Sequence, residues 1–264
     1  MFHTNTKNGI TYLTADTLSG VCHGFSTRTG GVSPAPWDSL NLGVGRGDEL
    51  TRVQENYRRF CAALGTDVNR VVLSKQIHED VVRHVTEEDI GKGLWRDRDY
   101  PSVDGMVTDV PHLPLVVFSA DCNVVLLYDP VRRAIGACHA GWRGTLQRIC
   151  QRAVMAMQLH YGTTPDRLRA VVGPGISLAN FEVGQEVYDQ FLQAGFDLTE
   201  TAEWHTKWHL DLPGINIREL IGCGVVPEHI HHAGICTFDH ADDYFSARRL
   251  GIDSGRIYTG ILMR

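Results

Sequence analysis

The sequence predicts a mixed α/β domain whose sheets are not purely parallel. Three observations carry that expectation. The apolar, β-rich runs "LPLVVFSA", "VVLLYD" and "AIGACH" follow one another in mid-chain with only short breaks between them. Helical patterns separate other strand runs, so strands and helices do not alternate strictly, which argues against an all-parallel sheet. No linker, repeat or low-complexity stretch divides the 264 residues, 43% of them hydrophobic, so one domain over residues 1–264 with a substantial core is expected.

The elements follow in chain order. "ITYLT" and "VCHGF" read as early strands. Leu50, Val53, Tyr57, Phe60, Cys61 and Leu64 have helical spacing, which predicts a helix over Leu50–Leu64 with Asp48 as N-cap and Gly65 as the stop. "RVVL" and "VVRHV" are short strands around the loop "SKQIHED", and the polar "EEDIGKGLWRDRDYPS" reads as an exposed loop. After the central strands, with a turn at Asp129 and Pro130, a helix is expected over about Thr145–His160, ended by Gly162. "LRAVVG" (strand), "PGISLANF" (loop), "GQEVYDQFLQAG" (helix) and "WHLDL" (strand) come next. Then a helix from Pro213 to Gly222, with proline suited to its first turn, and short strands close the chain.

The formal charge of −6 and the lack of a Lys/Arg block argue against a nucleic-acid partner. The apolar runs are too short to span a membrane and the N-terminus has no apolar leader segment, so a cytoplasmic protein is expected. Seven cysteines without a CxxC pair predict reduced thiols rather than a disulfide framework.

Candidate chemistry gathers at strand ends. Asp121 and Cys122 follow the run "LPLVVFSA", His139 follows "AIGAC", and His78 lies in the loop after "VVL". Two imidazoles and a thiolate are a zinc ligand set that leaves a fourth position open. Their separations, 44 residues and then 17, are not those of a local finger, and on spacing alone two ordinary histidines with a buried thiol are the favoured reading. Strand alternation turns Cys138 away from its neighbour His139, which leaves Cys122 as the thiol paired with that histidine. Arg28, Arg46, Arg143, Arg248 and Arg249 stand near glycines or in pairs, where a guanidinium fork suits phosphate or carboxylate; a solvated surface charge is the plain alternative for each. "GPGIS" lacks the Lys-Ser/Thr of a P-loop. "HIHH" at His229–His232 sits in a polar stretch and reads as surface.

In order, "HGFSTRTGGVS", "SLNLG", "SKQIH", "SADCNVVLLYDP", "CHAGWRG", "VVGPGISLANFEVG", "CTF" and "FSARR…GR" closely resemble the laccase-domain family, also called multicopper polyphenol oxidase or YfiH-type, over about residues 20–260. The resemblance implies an α+β fold, a four-layer αββα sandwich with mixed β-sheets. It implies a metal, zinc with copper as the alternative, on His78, Cys122 and His139. It also implies phosphorolysis of adenosine, inosine, guanosine and methylthioadenosine together with adenosine deamination. On that reading Asp121, Cys122 and Arg143 are catalytic, Arg28, Asn41, Arg46 and Arg248 bind substrate, and the partners are a purine nucleoside and phosphate, with the protein a monomer or homodimer. Glu79, Asn123, Val124 and Ala247 depart from the family pattern; they leave every ligand and arginine in place and bear on substrate preference.

Three rival readings use the same residues. One is a copper-dependent phenol oxidase, since two His and one Cys also suit copper. Another is a cysteine hydrolase with Cys122 beside His139. The third is a structural zinc site completed by Cys138 or Cys236.

Overall fold

The computed structural model describes residues 1–264. The chain opens with strands β1 (Phe2–Lys7), β2 (Ile10–Ala15) and β3 (Cys22–Ser26), followed by helix α1 (Leu50–Leu64). Short strands β4 (Val72–Leu73), β5 (Val82–His84) and β6 (Gly105–Thr108) lead to the central β7 (Leu115–Ser119), β8 (Asn123–Asp129) and β9 (Ala134–Ala140). Helices α2 (Trp142–Leu146) and α3 (Ile149–Tyr161) precede β10 (Arg169–Val172), β11 (Glu182–Val183) and α4 (Gln185–Gln193). The last elements are β12 (Ala202–Trp204), β13 (Trp208–Leu210), α5 (Leu212–Gly222), β14 (Ile230–His232), α6 (Ala247–Leu250) and β15 (Ile257–Leu262).

Two six-stranded sheets, ordered β1-β2-β3-β15-β7-β4 and β14-β10-β8-β9-β6-β5, stand with a three-stranded sheet β11-β13-β12. The β4–β7, β5–β6 and β10–β14 pairs are parallel and the others antiparallel, so the sheets are mixed. Strand alternation builds the layers. On β8, Val124, Leu126 and Tyr128 join Phe25, Val117 and Ile257 in a core between the two large sheets. Val125 and Leu127 point the other way and pack under Ile149, Ala153, Val154 and Met157 of α3. On the far side, Val53, Tyr57, Phe60 and Leu64 of α1 cover Val116 and Tyr258. The result is an α+β layered αββα arrangement, each large buried side chain stabilising it by about 1.5–3 kcal/mol relative to exposure.

The differences from expectation have physical causes. β1, "FHTNTK", has no apolar alternation to announce it; it forms because β2 offers its edge along the full register Phe2–Ala15 to Lys7–Ile10. The helix expected over Thr145–His160 is two helices, because Arg148 takes a left-handed φ of 62° and turns its guanidinium to Glu219 on α5. Asp48 does not cap α1. Its carboxylate instead accepts from Ser33 Oγ and Asn41 Nδ2, and Glu49 holds the cap position with no side-chain bond.

The segment expected as an exposed loop, residues 87–102, is folded onto the protein. Asp89 and Lys92 are buried and paired at 2.8 Å, Lys92 also binds Asp99, and Arg83 reaches Asp89 at 2.7 Å. Burial would raise the Asp89 carboxyl, but Arg83, Lys92 and the Thr86 N–H outweigh it and hold it below the usual range. The stability gained is therefore complete above the ordinary aspartate value of about 3.9 and is lost as pH falls through the lowered one. Asp89→Asn leaves buried Lys92 short of a partner and is expected to cost about 3–5 kcal/mol at neutral pH. Unfolding midpoints measured from pH 7 to pH 3 are expected to fall less steeply for this variant than for the parent; parallel curves contradict the assignment.

Candidate metal centre

The antiparallel β8–β9 pair brings the beginning of one strand to the end of the other, with Asn123 opposite Ala140 and Val124 opposite His139. Cys122, just before β8, therefore stands beside His139, the next-to-last residue of β9. The β6–β9 pair sets Gly105 opposite Cys138, which places Asp104 at the same edge, and parallel β5 brings His78 there from four residues upstream of Val82. One sheet edge thus receives residues from four separate segments. The donor atoms of His78, Cys122 and His139 lie within 4.8 Å of one another, and the two imidazole rings meet edge to face at 4.9 Å.

Asp104 holds the cluster from behind. Its fully buried carboxylate accepts from His139 Nδ1 at 2.9 Å and from the backbone N–H groups of Ile77, His78 and Glu79 at 3.0–3.1 Å. This fixes the His139 ring so that Nε2 is left for the cluster, the carboxylate–histidine arrangement that supports metal ligands. Burial acts to raise Asp104, but its bonds to His139 and those N–H groups prevail and hold it low. Burial also opposes charge on His139, yet Cys122 and Asp104 overcome it and push the imidazole up to about 9, while burial and then His139 drive His78 down to about 4.

The residues fit a metal. His78 Nδ1 is buried without a hydrogen-bond partner. At Gly141 a Cβ would lie 2.9 Å from both Cys122 Sγ and His78 Nδ1, so only glycine leaves the cluster room. Cys138, on the opposite face of β9, is fully buried 3.9 Å from Cys150, and Cys236 accepts bonds from Ser177 and Asn180, so neither joins the cluster. The donor set is three, as an open zinc site requires. His231 bonds Thr17, and "HIHH" takes no part.

The cluster opens into a cavity of about 810 Å³, within the range of small-molecule sites. Trp142, Phe118, Phe181 and Ile176 supply apolar wall, and Arg46 and Arg248 line it. Asp121 lines it too, in a left-handed conformation (φ 78°), its two oxygens accepting from Thr237 Oγ1 and the Arg248 N–H at 2.7 Å. A non-glycine residue held there is a sparsely populated backbone state of the kind that clusters at functional sites; His78 (φ 67°) is another.

Three expected site residues stand elsewhere. Asn41 is fully buried, its amide spent on Asp48, the Gly43 N–H and the Arg256 N–H, and it does not line the cavity. Arg28 donates to Asp38 and the Ala241 carbonyl and packs over Phe245, because the "STRTGG" turn needs it as a tie. Arg143 is exposed and lies over the Trp142 ring at 4.1 Å instead of lining the cavity. Sequence reasoning missed Asp104, Arg98, Lys75 and Arg256. Arg256 is buried in the wall with bonds to the Ser254, Gly255 and Ile252 carbonyls, and burial and then Arg46 lower it to about 10.

A layered α+β fold carrying a three-donor His-Cys-His cluster at the mouth of a cavity defines a metal-binding enzyme. The chain belongs to the family described as multi-copper polyphenol oxidoreductase laccase, whose model matches residues 22–264. It is 36% identical over 264 residues to a purine nucleoside phosphorylase of Bacteroides thetaiotaomicron, covering 98% of both chains. It is 38% identical over 260 residues to a purine nucleoside phosphorylase of Deinococcus radiodurans, covering 97% of this chain and 94% of that one. Among solved structures, the Bacillus licheniformis hypothetical protein YfiH superposes with a TM-score of 0.92 at 30% identity over 99% of each chain. No helix is long and apolar enough to cross a membrane.

Proposed function

We propose that the protein is a zinc-dependent purine nucleoside phosphorylase acting on adenosine, inosine, guanosine and methylthioadenosine, with adenosine deamination as a second reaction of the same cavity. The observation that carries this reading is the His78–Cys122–His139 cluster at one wall of a cavity of about 810 Å³ whose other walls present Arg46, Arg248 and Arg256. Relatives of nearly the same length that are named purine nucleoside phosphorylases support it.

In phosphorolysis a phosphate oxygen bonds to ribose C1′ as the C1′–N9 bond breaks, and the purine departs with a proton; no other reactant is needed. Zinc on the three donors supplies Lewis acidity toward an oxygen or nitrogen brought to it. The rest falls to the chain. Arg46, Arg248 and Arg256 give the cavity the positive potential that draws phosphate in and offsets its charge at the reacting centre. Trp142, Phe118 and Phe181 offer flat apolar faces to a purine. Asp121, oriented by Thr237 and the Arg248 N–H, is placed to carry a proton to or from the purine, for phosphorolysis and for the exchange of water for ammonia at C6.

A second reading, copper-dependent phenol oxidation, draws on the family description and on a donor set that copper also accepts. One trio is the only such cluster in the chain, whereas multicopper oxidation needs several. A nucleoside panel with and without phosphate, run on zinc-loaded and copper-loaded protein beside a phenol assay, separates the two. Base release that requires phosphate with the zinc form is expected; phenol oxidation with copper and no base release favours the second reading.

A further inference from the structure

We propose that Lys75 and Arg98 form an anion subsite for a phosphoryl dianion, at the junction of the metal-side cavity and a neighbouring one. The inference takes its ligand class from the nucleoside reading and deepens it. Beside the main cavity lies a second of about 540 Å³, and Val44, Lys75 and Arg98 belong to the walls of both.

Arg98 is built into this position and left without a partner. Its Nε and one terminal nitrogen are buried with no hydrogen-bond acceptor. Asp89 is spent on Arg83 and Lys92 and Asp99 on Lys92, and Asp97, which also lines the second cavity, makes no ion pair with Arg98. Burying cationic nitrogens without acceptors is costly, so an arrangement that enforces it points to an acceptor brought from outside. The chain does enforce it. Gly93 has φ +94°, and a Cβ there would lie 2.7 Å from Arg98 Nε, so the guanidinium can lie across this residue only because it is glycine. On either side of Arg98 the loop is tied down, by the Gly93 N–H to the Arg96 carbonyl at 2.7 Å, Lys92 to Asp99 at 2.7 Å and Tyr100 Oη to the Leu73 carbonyl at 2.6 Å.

Lys75 presents the second charge. Its backbone is locked to Val103 by two hydrogen bonds of 2.9 and 3.0 Å, its side chain is exposed, and it has no carboxylate partner. An uncharged nucleoside has no anionic group to pair with either cation. A guanidinium fork beside an ammonium suits a phosphoryl group, either free phosphate or the 5′-phosphate of a nucleotide.

Calorimetric titration of zinc-loaded protein with inosine, inosine 5′-monophosphate and inorganic phosphate tests the subsite, comparing the parent with Arg98→Gln and Lys75→Gln at fixed ionic strength. Each variant is expected to weaken phosphoryl binding by about tenfold and to change inosine affinity much less. If the monophosphate loses its advantage over inosine, the subsite takes the 5′-phosphate; if only inorganic phosphate weakens, it takes the free anion. Unchanged affinity for both in both variants overturns the proposal. Lys75→Gln, at an exposed side chain, keeps the test decisive if Arg98→Gln does not fold. Inosine turnover is assayed separately: its absence alongside a variant-sensitive phosphoryl affinity sinks the phosphorylase reading and leaves the subsite standing.

Discussion

His139→Ala is expected to release the metal and to lower nucleoside turnover about a thousandfold. His139 is one of only three donors, is nearly fully buried at the end of β9, and has its ring aimed by Asp104. Two remaining donors do not make a zinc site of either the structural or the catalytic kind. The charge stabilisation a catalytic metal gives a transition state is worth several kcal/mol, and at 1.36 kcal/mol per decade about 4 kcal/mol is a factor of about a thousand. The variant also strips one partner from the buried Asp104 carboxylate, at a cost of about 1–3 kcal/mol, so its melting curve is needed beside its metal content. Loss of zinc with a folded protein and turnover lowered by about a thousandfold is the expected result. Full turnover by a metal-free variant contradicts the role given to the cluster.

Asp104→Asn is expected to lower zinc affinity by about 10–100-fold, the usual effect of removing an orienting partner of a metal ligand. The carboxylate serves four N–H donors at once, from His139 Nδ1 and from three consecutive backbone positions of the His78 loop. An amide of the same shape has one acceptor oxygen and one donor nitrogen, so it must set N–H against N–H on one side. His139 then loses its enforced orientation, or the loop carrying His78 shifts, and both routes loosen the cluster. Competition with a chelator measures the affinity. An unchanged value shows that Asp104 serves the fold alone.

Local signals in the sequence carried the elements and the mixed sheets, whereas the layered αββα arrangement and the choice of His78, Cys122 and His139 came from the family resemblance. Periodicity marked α1 to the residue, and apolar runs marked the strands whose ends carry Cys122 and His139. Alternation alone separated Cys138, packed against Cys150 under α3, from His139 on the opposite face. What escaped depends on pairing between distant segments. Asp104 in "SVDGM" looks like a turn residue until β6 is registered against β9. The loop bearing Arg98 looks solvated because Asp89, Lys92 and Asp99 are charged, yet they neutralise one another and draw it inward. Arg28 and Asn41 belong to motifs that identify the family, and they work there as ties between segments, a role no spacing distinguishes from ligand binding.

The most direct test of the central claim is to follow inosine and inorganic phosphate with the zinc-loaded protein by ³¹P NMR. Phosphorolysis predicts a ribose 1-phosphate signal that grows in step with hypoxanthine, requires phosphate, and disappears with His139→Ala. Hypoxanthine released without phosphate, with free ribose as the partner product, or no hypoxanthine at all from a fully zinc-loaded protein, contradicts it.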